Sequence, residues 1–231
     1  YTNTYVGRSW WGIEPLEKII SLWGHSHLFG SGLKGKKNEY VRRVKDALIN
    51  TVRLDAYDMR AETISDYYVK ILSYRPSSII GYTSCLYKLA RFMIDNNLQG
   101  MLGRQLKVVI PTSETVTQSD IVAMKEAFRV PVAIEYGMAE TGVITYSKAE
   151  SNNIPVFWNS FICRKNNSEN LIVTTLSEKT FPLINYNTDD CVDVKEEHHG
   201  SILALRGIKG RSKESFEIAT ISGEKLLISG I

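Results

Sequence analysis

The 231-residue sequence predicts an α/β protein, with a largely parallel sheet and crossover helices followed by a smaller β-rich, barrel-like subdomain. Three observations predict it. Up to Gly142, short apolar runs alternate with stretches of helical period, the pattern of strands joined by crossover helices. After Gly142 the helical period gives out, and short β-rich runs follow, spaced by Asn, Ser and Gly. Finally, 43% hydrophobic and 23% charged residues describe an ordinary globular chain, long enough to bury a large core. The reading divides the chain into an α/β part over 1–142, a β-rich part over 143–206, and a hinge with the start of a further domain over 207–231. No internal repeat is visible, which excludes solenoids.

The elements follow in order. Lys18 to Trp23 (KIISLW) reads as a buried strand, and Gly24-His25-Ser26-His27 as the loop after it. Val41, Val44 and Leu48 fall on one face of a helix beginning near Asn38, and Arg60 to Leu72 fits a second helix. Ser78 to Tyr82 is a strand; Ser84 can cap a helix whose Leu86, Leu89, Ala90 and Met93 form an apolar stripe. Leu106 to Ile110 is the next strand, and Thr117 with Asp120 makes a capping-box start for a helix turning Ile121, Met124 and Phe128 inward. Val132 to Glu135 is the last strand of this half. Beyond it, strands are expected at Val143 to Tyr146, Val156 to Cys163, Leu171 to Leu176, Cys191 to Val194 and Ile202 to Leu205.

Composition narrows the function classes. A net charge of +3 is only mildly basic and does not point to nucleic acid. Its one dense patch, Lys34, Lys36, Lys37, Arg42, Arg43 and Lys45, reads as a solvated helix face that could also meet phosphate. No apolar run reaches the roughly 20 residues that span a bilayer, and Tyr1 onward does not resemble a signal peptide. The cysteines Cys85, Cys163 and Cys191 are scattered and odd in number, against a disulfide framework or zinc knuckle and in favour of a reducing cytoplasm. The chain opens without methionine and stops straight after LLISGI, so it reads as a piece of something longer.

Two loops invite attention. His25 and His27 follow a strand, where open α/β sheets keep ligands, although such a pair also fits a simple turn. Gly30 to Lys36 fits GxxxxGK, the outline of a phosphate loop, but Lys37 stands where a hydroxyl should meet Mg²⁺. A basic surface loop is the plainer reading.

The most informative stretch is Val132 to Gly142, VAIEYGMAETG. Tyr136 offers a flat face for a base, Gly137 permits close backbone approach, and Glu140 is a hard oxygen ligand for Mg²⁺. A packed tyrosine and a solvated glutamate would look the same. Two further stretches, PLINYNTDD over 182–190 and GRSKE over 210–214, complete an ordered set. With the WWGI, LWG, IIGYTSCLYKLA, TSE and VTTL text, the set resembles the adenylate-forming, AMP-producing ligases. Within them it is most similar to the phenylacetate-CoA ligase branch and its CapK-like relatives of capsular-polysaccharide biosynthesis.

That resemblance implies ATP-dependent activation of a carboxylic acid as an acyl-adenylate, then transfer to a thiol or an amine. The implied cofactors are ATP and Mg²⁺, with coenzyme A as a thiol acceptor; the partners are small molecules, and a homo-oligomer is compatible. Tyr136 would stack on adenine, Glu140 would hold Mg²⁺, Asp190 would accept hydrogen bonds from the ribose hydroxyls, and Arg211 would support the ribose and mark a hinge. Ser113 and Glu114 would border the adenine; Gly137, Met138 and Ala139 would lie along the phosphate path, with His25, Gly137 and Met138 lining the carboxylate pocket.

Departures from the family pattern stand beside these matches. Ala139 replaces a Thr unless Thr141 supplies the hydroxyl, Asn187 replaces Arg, Asp189 replaces Gly, and Asn170 replaces Glu. The family's Ser/Thr/Gly-rich phosphate loop and catalytic lysine are expected upstream of Tyr1 and beyond Ile231, so this chain alone should be inactive. Two other readings remain: a degenerate nucleotide-binding scaffold of the same fold, and P-loop phosphoryl transfer through Gly30 to Lys36.

Overall fold

The structure, a computed structural model, describes residues 2–24, 32–149, 151, 153–177, 180–211, 215–219 and 225–229, with side chains left aside over 32–35 and in the last two segments. It divides into two compact units, Arg8–Ile134, and Tyr1–Gly7 with Glu135–Ile231. Helix α1 (Thr2–Ser9) opens the chain across that division.

In the Arg8–Ile134 unit the order is β1 (Ile19–Leu22), α2 (Gly32–Leu48), β2 (Thr51–Leu54), α3 (Ala61–Tyr74), β3 (Ser78–Tyr82), α4 (Thr83–Asp95), β4 (Val108–Thr112) and α5 (Gln118–Phe128). The four strands form one parallel sheet ordered β2-β1-β3-β4, as the alternation of apolar runs and helices requires. Their residues read as continuous apolar runs because helices cover the sheet: Ile20, Leu22, Ile79 and Val109 pack with Ile64 and Ile71 of α3, Leu86, Leu89 and Met93 of α4, and Met124 and Phe128 of α5. Helix α5 begins with the expected capping box, Thr117 Oγ1 accepting from Asp120 N at 3.2 Å and Asp120 Oδ2 accepting from Thr117 N at 2.8 Å.

Three expectations for this unit need correction. Ser84 does not cap α4, which starts one residue earlier at Thr83; the cap comes from Glu114, across the sheet. Val132 to Glu135 is not a strand, since Val132 makes only an isolated parallel bridge to Val109 before the chain leaves the sheet. Helix α2 begins at Gly32, not near Asn38, and the face that carries Val41, Val44 and Leu48 is exposed. Because its residues are helical from Gly32, the amides of Lys36 and Lys37 belong to the helix ladder and cannot cradle a phosphate, which removes the P-loop reading of Gly30 to Lys36. Gly30 itself lies outside the described residues.

The second unit is antiparallel. A hairpin of β5 (Glu135–Met138) and β6 (Gly142–Tyr146) leads to β7 (Ile154–Pro155), β8 (Phe161–Lys165), β9 (Asn170–Thr175), β10 (Tyr186–His198) and β11 (Ser201–Arg211). The last five form a sheet ordered β7-β11-β10-β9-β8, in which β8 at one edge also approaches β11, giving the expected barrel-like curl. A separate ribbon pairs β12 (Ser215–Ala219) with β13 (Lys225–Ser229). The first part of α1, up to Gly7, belongs here: a Cβ on Gly7 would collide with the ring of the fully buried Tyr146, and Asn3 Nδ2 donates to Val143 O at 3.1 Å.

Strand lengths depart from expectation. Cys191 to Val194 and Ile202 to Leu205 are only the apolar centres of the much longer β10 and β11, whose outer residues are polar because they face water. Residues 207–211 finish β11, so the expected hinge at 207 begins inside a strand. Val156 to Cys163 breaks into an isolated bridge from Val156 to Thr145, a turn over 158–160 and the start of β8. The compact units divide before Glu135, not after Gly142, since β5 pairs only with β6.

Candidate nucleotide site

The site is built on three strands of the antiparallel unit. Tyr136 sits within β5, opposite Thr145 of β6. Gly137 follows it for a reason different from the expected approach of a ligand: a Cβ there would strike the Gly142 carbonyl oxygen and lie 2.8 Å from Val143 Cα. The hairpin's own backbone needs the glycine, and this fixes where the Tyr136 ring points. Met138 closes the strand half-buried, while Ala139 and Glu140 are exposed in the hairpin turn.

Tyr136 Oη donates to Asp190 Oδ2 at 2.7 Å, joining residues 54 positions apart. Burial, and then the negative charge of Asp190, push the Tyr136 phenol well above its ordinary range, so it remains a donor throughout physiological pH. On β10, Asp190 stands opposite Arg211 of β11, whose Nε lies 3.6 Å from Asp190 Oδ1. The carboxylate is 15% exposed and the guanidinium 60%, so water screens the pair and its contribution is within about 1 kcal/mol. The Asp190 carboxylate is therefore held on one oxygen by a neutral donor and approached on the other by an exposed cation.

Local sequence explains how Asp190 reaches this position. The β10–β9 register shifts between Asn187 and Cys191, a bulge that re-aims the strand. At its centre Asp189 has φ 59, a left-handed conformation that favours Gly but is open to Asp and Asn. Asn187 Nδ2 donates to Asp189 Oδ1 at 2.9 Å, and Asn187 Oδ1 accepts from Asp189 N at 3.2 Å. Thr188, buried, donates to Leu171 O at 3.0 Å and accepts from Asp190 N at 3.1 Å. The substitutions at Asn187 and Asp189, which in sequence only add charge beside the ribose position, thus close the bulge on itself. Asn170 is likewise structural: buried, it accepts from Cys191 Sγ at 3.3 Å. Thr141 does not replace the hydroxyl missing at Ala139, because it is buried and donates to Gly142 O at 2.8 Å.

In the other unit, Ser113 and Glu114 follow β4 at its carboxyl end. Ser113 takes a left-handed φ of 66, and Glu114 accepts from Ser84 N at 2.6 Å and Ser84 Oγ at 3.0 Å. A carboxylate at the amino end of α4 satisfies an orphan amide and complements the helix dipole. Near them are aromatic residues that sequence reasoning passed over. Trp23 and Tyr82, at the carboxyl ends of β1 and β3, stack with centroids 4.7 Å apart, and a Cβ on Gly24 would collide with the Tyr57 ring. The available signal was positional: Trp23 directly follows one strand and Tyr82 ends another. His25 lies outside the described residues.

Among the described residues no three His, Cys, Asp or Glu side chains gather as a metal site.

Comparison with known proteins defines the class first. No family model matches the chain. A 2-hydroxyisobutyryl-CoA ligase solved with its R3-HIB-AMP ligand superimposes with a TM-score of 0.67 at 16% identity, over 97% of this chain and 49% of that one. MatB from Rhodopseudomonas palustris gives 0.58 at 11% identity, over 97% and 46%. The fold is that of the adenylate-forming ligases, parallel sheet and antiparallel part together. In sequence, the chain is 27% identical over 206 residues to Protein CapK of Staphylococcus aureus, covering 86% of this chain and 44% of that protein. The resemblance to the superfamily and to its CapK-like branch therefore holds in both sequence and fold, and the chain spans about half the length of these relatives.

Proposed function

We propose that the protein is an AMP-forming ligase of the phenylacetate-CoA ligase type, and that this chain holds the base and ribose of its nucleotide. The observation that carries the proposal is the bond between Tyr136 and Asp190, with Arg211 beside it, in a chain of this fold. The Tyr136 ring supplies a face for adenine. The Asp190 carboxylate accepts from the ribose hydroxyls, with Tyr136 Oη fixing its orientation and Arg211 beside it on the sugar side. In the other unit Glu114 acts through the α4 cap that holds the loop after β4. Gly137, Met138 and Ala139 run along the phosphates, with Gly137 and Met138 also beside the acid.

In the reaction, a carboxylate oxygen of the acid attacks the α-phosphorus of ATP, and the bond to the bridging oxygen breaks as pyrophosphate leaves. A thiol such as that of coenzyme A, or an amine, then attacks the carbonyl carbon and AMP departs. Glu140 would hold Mg²⁺, which would neutralise phosphate charge; most of the acceleration in such chemistry is charge stabilisation. The chain alone does not turn over under this reading, because the phosphate loop and catalytic lysine of the family are not among its residues. The cytoplasm, with its ATP and reduced thiols, is the compartment that suits it.

Pyrophosphate exchange by the intact protein, screened over many acids, tests the reading. Asp190→Ala should reduce ATP-dependent exchange on the order of a hundredfold, the loss of charge-assisted bonds to two hydroxyls, while Lys36→Ala changes little. Exchange that survives Asp190→Ala would displace the site. ATP binding without exchange for any acid would instead identify a nucleotide-binding scaffold.

A further inference from the structure

Helix α2 is amphipathic with its apolar side turned outward. The side against the unit is polar: Asp46 is 8% exposed, and its carboxylate accepts from Arg53 Nε of β2 at 2.8 Å and lies 3.4 Å from Arg42 Nε. On the opposite side Tyr40, Val44 and Leu48, four residues apart, form a stripe with Val41 between them, exposed by 70%, 43%, 73% and 41%. Basic residues frame the stripe. By helical period Lys36 and Arg43 run along one flank and Lys45 along the other, with Lys37 one turn before Tyr40; all four are exposed.

We propose that α2 lies flat on an anionic lipid surface, its stripe entering the boundary between headgroups and acyl chains while the flanking lysines reach lipid phosphates. A helix with a strong polar side, basic flanks and an aromatic residue among aliphatics is the form that binds in this plane. It does not cross the membrane; no helix among the described residues is long and apolar enough. A nucleic acid would satisfy the cations but leave Tyr40, Val41, Val44 and Leu48 in water. A second copy packed stripe to stripe would set Lys36, Lys37, Arg43 and Lys45 of each helix against those of the other, which like-charge repulsion opposes. The lipid surface answers both features, since long lysine stems extend to phosphates as the apolar side sinks.

Vesicle flotation of the intact protein tests this, using phosphatidylcholine vesicles and equimolar phosphatidylcholine–phosphatidylglycerol vesicles. Binding is expected to the mixed vesicles and to be at least about tenfold weaker to the neutral ones, and to fall as salt is raised. Val44→Glu with Leu48→Glu should abolish it; these exposed positions let the fold survive, which an unchanged melting temperature verifies. Lys36→Gln, Lys37→Gln and Lys45→Gln together should weaken it about tenfold or more and flatten its salt dependence. No flotation of the wild-type protein, equal flotation with both vesicles, or binding unaffected by the glutamates would overturn the proposal. A dimer that dissociates on Val44→Glu with Leu48→Glu would also overturn it and identify a second copy on this face.

Discussion

The two units place their ionisable groups in opposite ways. In Arg8–Ile134 strands β1, β3 and β4 carry Ile20, Leu22, Ile79 and Val109 between helices; the charged Arg53 lies on the edge strand β2, and Glu114 appears past the end of β4. In the antiparallel unit a phenol and a carboxylate, Tyr136 and Asp190, lie within strands β5 and β10 and are bonded to one another there. A sheet buried on both faces cannot hold a charge in mid-strand without a large desolvation cost. A sheet with one wetter face can. Reactive groups therefore belong at strand ends in the first architecture and inside strands in the second.

The difference is open to attack through stability. Leu89→Ala, at a fully buried position of α4, and Leu171→Ala, at one of β9, should each cost about 2–5 kcal/mol. If the units are separate cooperative bodies, hydrogen exchange in the Leu89→Ala variant quickens over Arg8–Ile134 and leaves β8 to β11 protected, and Leu171→Ala does the reverse. Uniform acceleration by either variant would show one body and remove the comparison. A smaller effect, about 1–3 kcal/mol, is expected from Gly137→Ala, which drives a Cβ into the facing strand of its hairpin. Its accompanying loss of ATP binding, measured by calorimetry, should exceed that of a destabilised but remote variant, because Tyr136 moves with the hairpin.

The same contrast decides what could be read from sequence. The parallel sheet was legible, its strands being uninterrupted apolar runs and α4 and α5 carrying clean stripes. For helix α2 the 3.6-residue period showed that a face is apolar but not which way it is turned; the buried Asp46 and its Arg53 partner settle that only in space. Strands β10 and β11 were found only at their apolar centres, since a half-wet strand looks like a loop wherever Thr, Asp and Lys alternate with Val. Tyr136, Asp190 and Arg211 were singled out individually, and ordered motifs suggested their company. The bulge that aims Asp190 was not legible, because it depends on a left-handed Asp189 and a hydrogen bond from Asn187.

At the rim of the parallel sheet, Glu114→Gln tests whether the end of β4 is held by charge. It should cost about 0.5–2 kcal/mol, the range of a helix cap, as a lowered melting temperature. Ser84→Ala, which leaves the amide bond to Glu114 in place, should cost less. Equal losses would mean that the hydroxyl contact dominates and that the dipole has little part.

The smallest effects come from the thiols, which sample both units. Cys85 and Cys163 are buried, and burial raises both above the ordinary thiol range, Cys163 from 9.0 to about 12. Cys191 is half-buried and donates to Asn170. A thiol-selective reagent near neutral pH should accordingly modify Cys191 before the other two, and all three together only on unfolding. The pH dependence has a fixed sign. A folded-state pKa raised above the unfolded value favours the protonated native state, so the contribution from Cys163 is complete below pH 9.0 and is lost as pH climbs towards about 12. Melting temperature should fall across that window in the wild-type protein and fall less in Cys163→Ala, which exchanges the slope for a small constant loss from the cavity. Simultaneous labelling of Cys163 and Cys191 in the native state would show that the interior of the antiparallel unit is as accessible as its polar strands, and that its ionisable pair is solvated rather than enclosed.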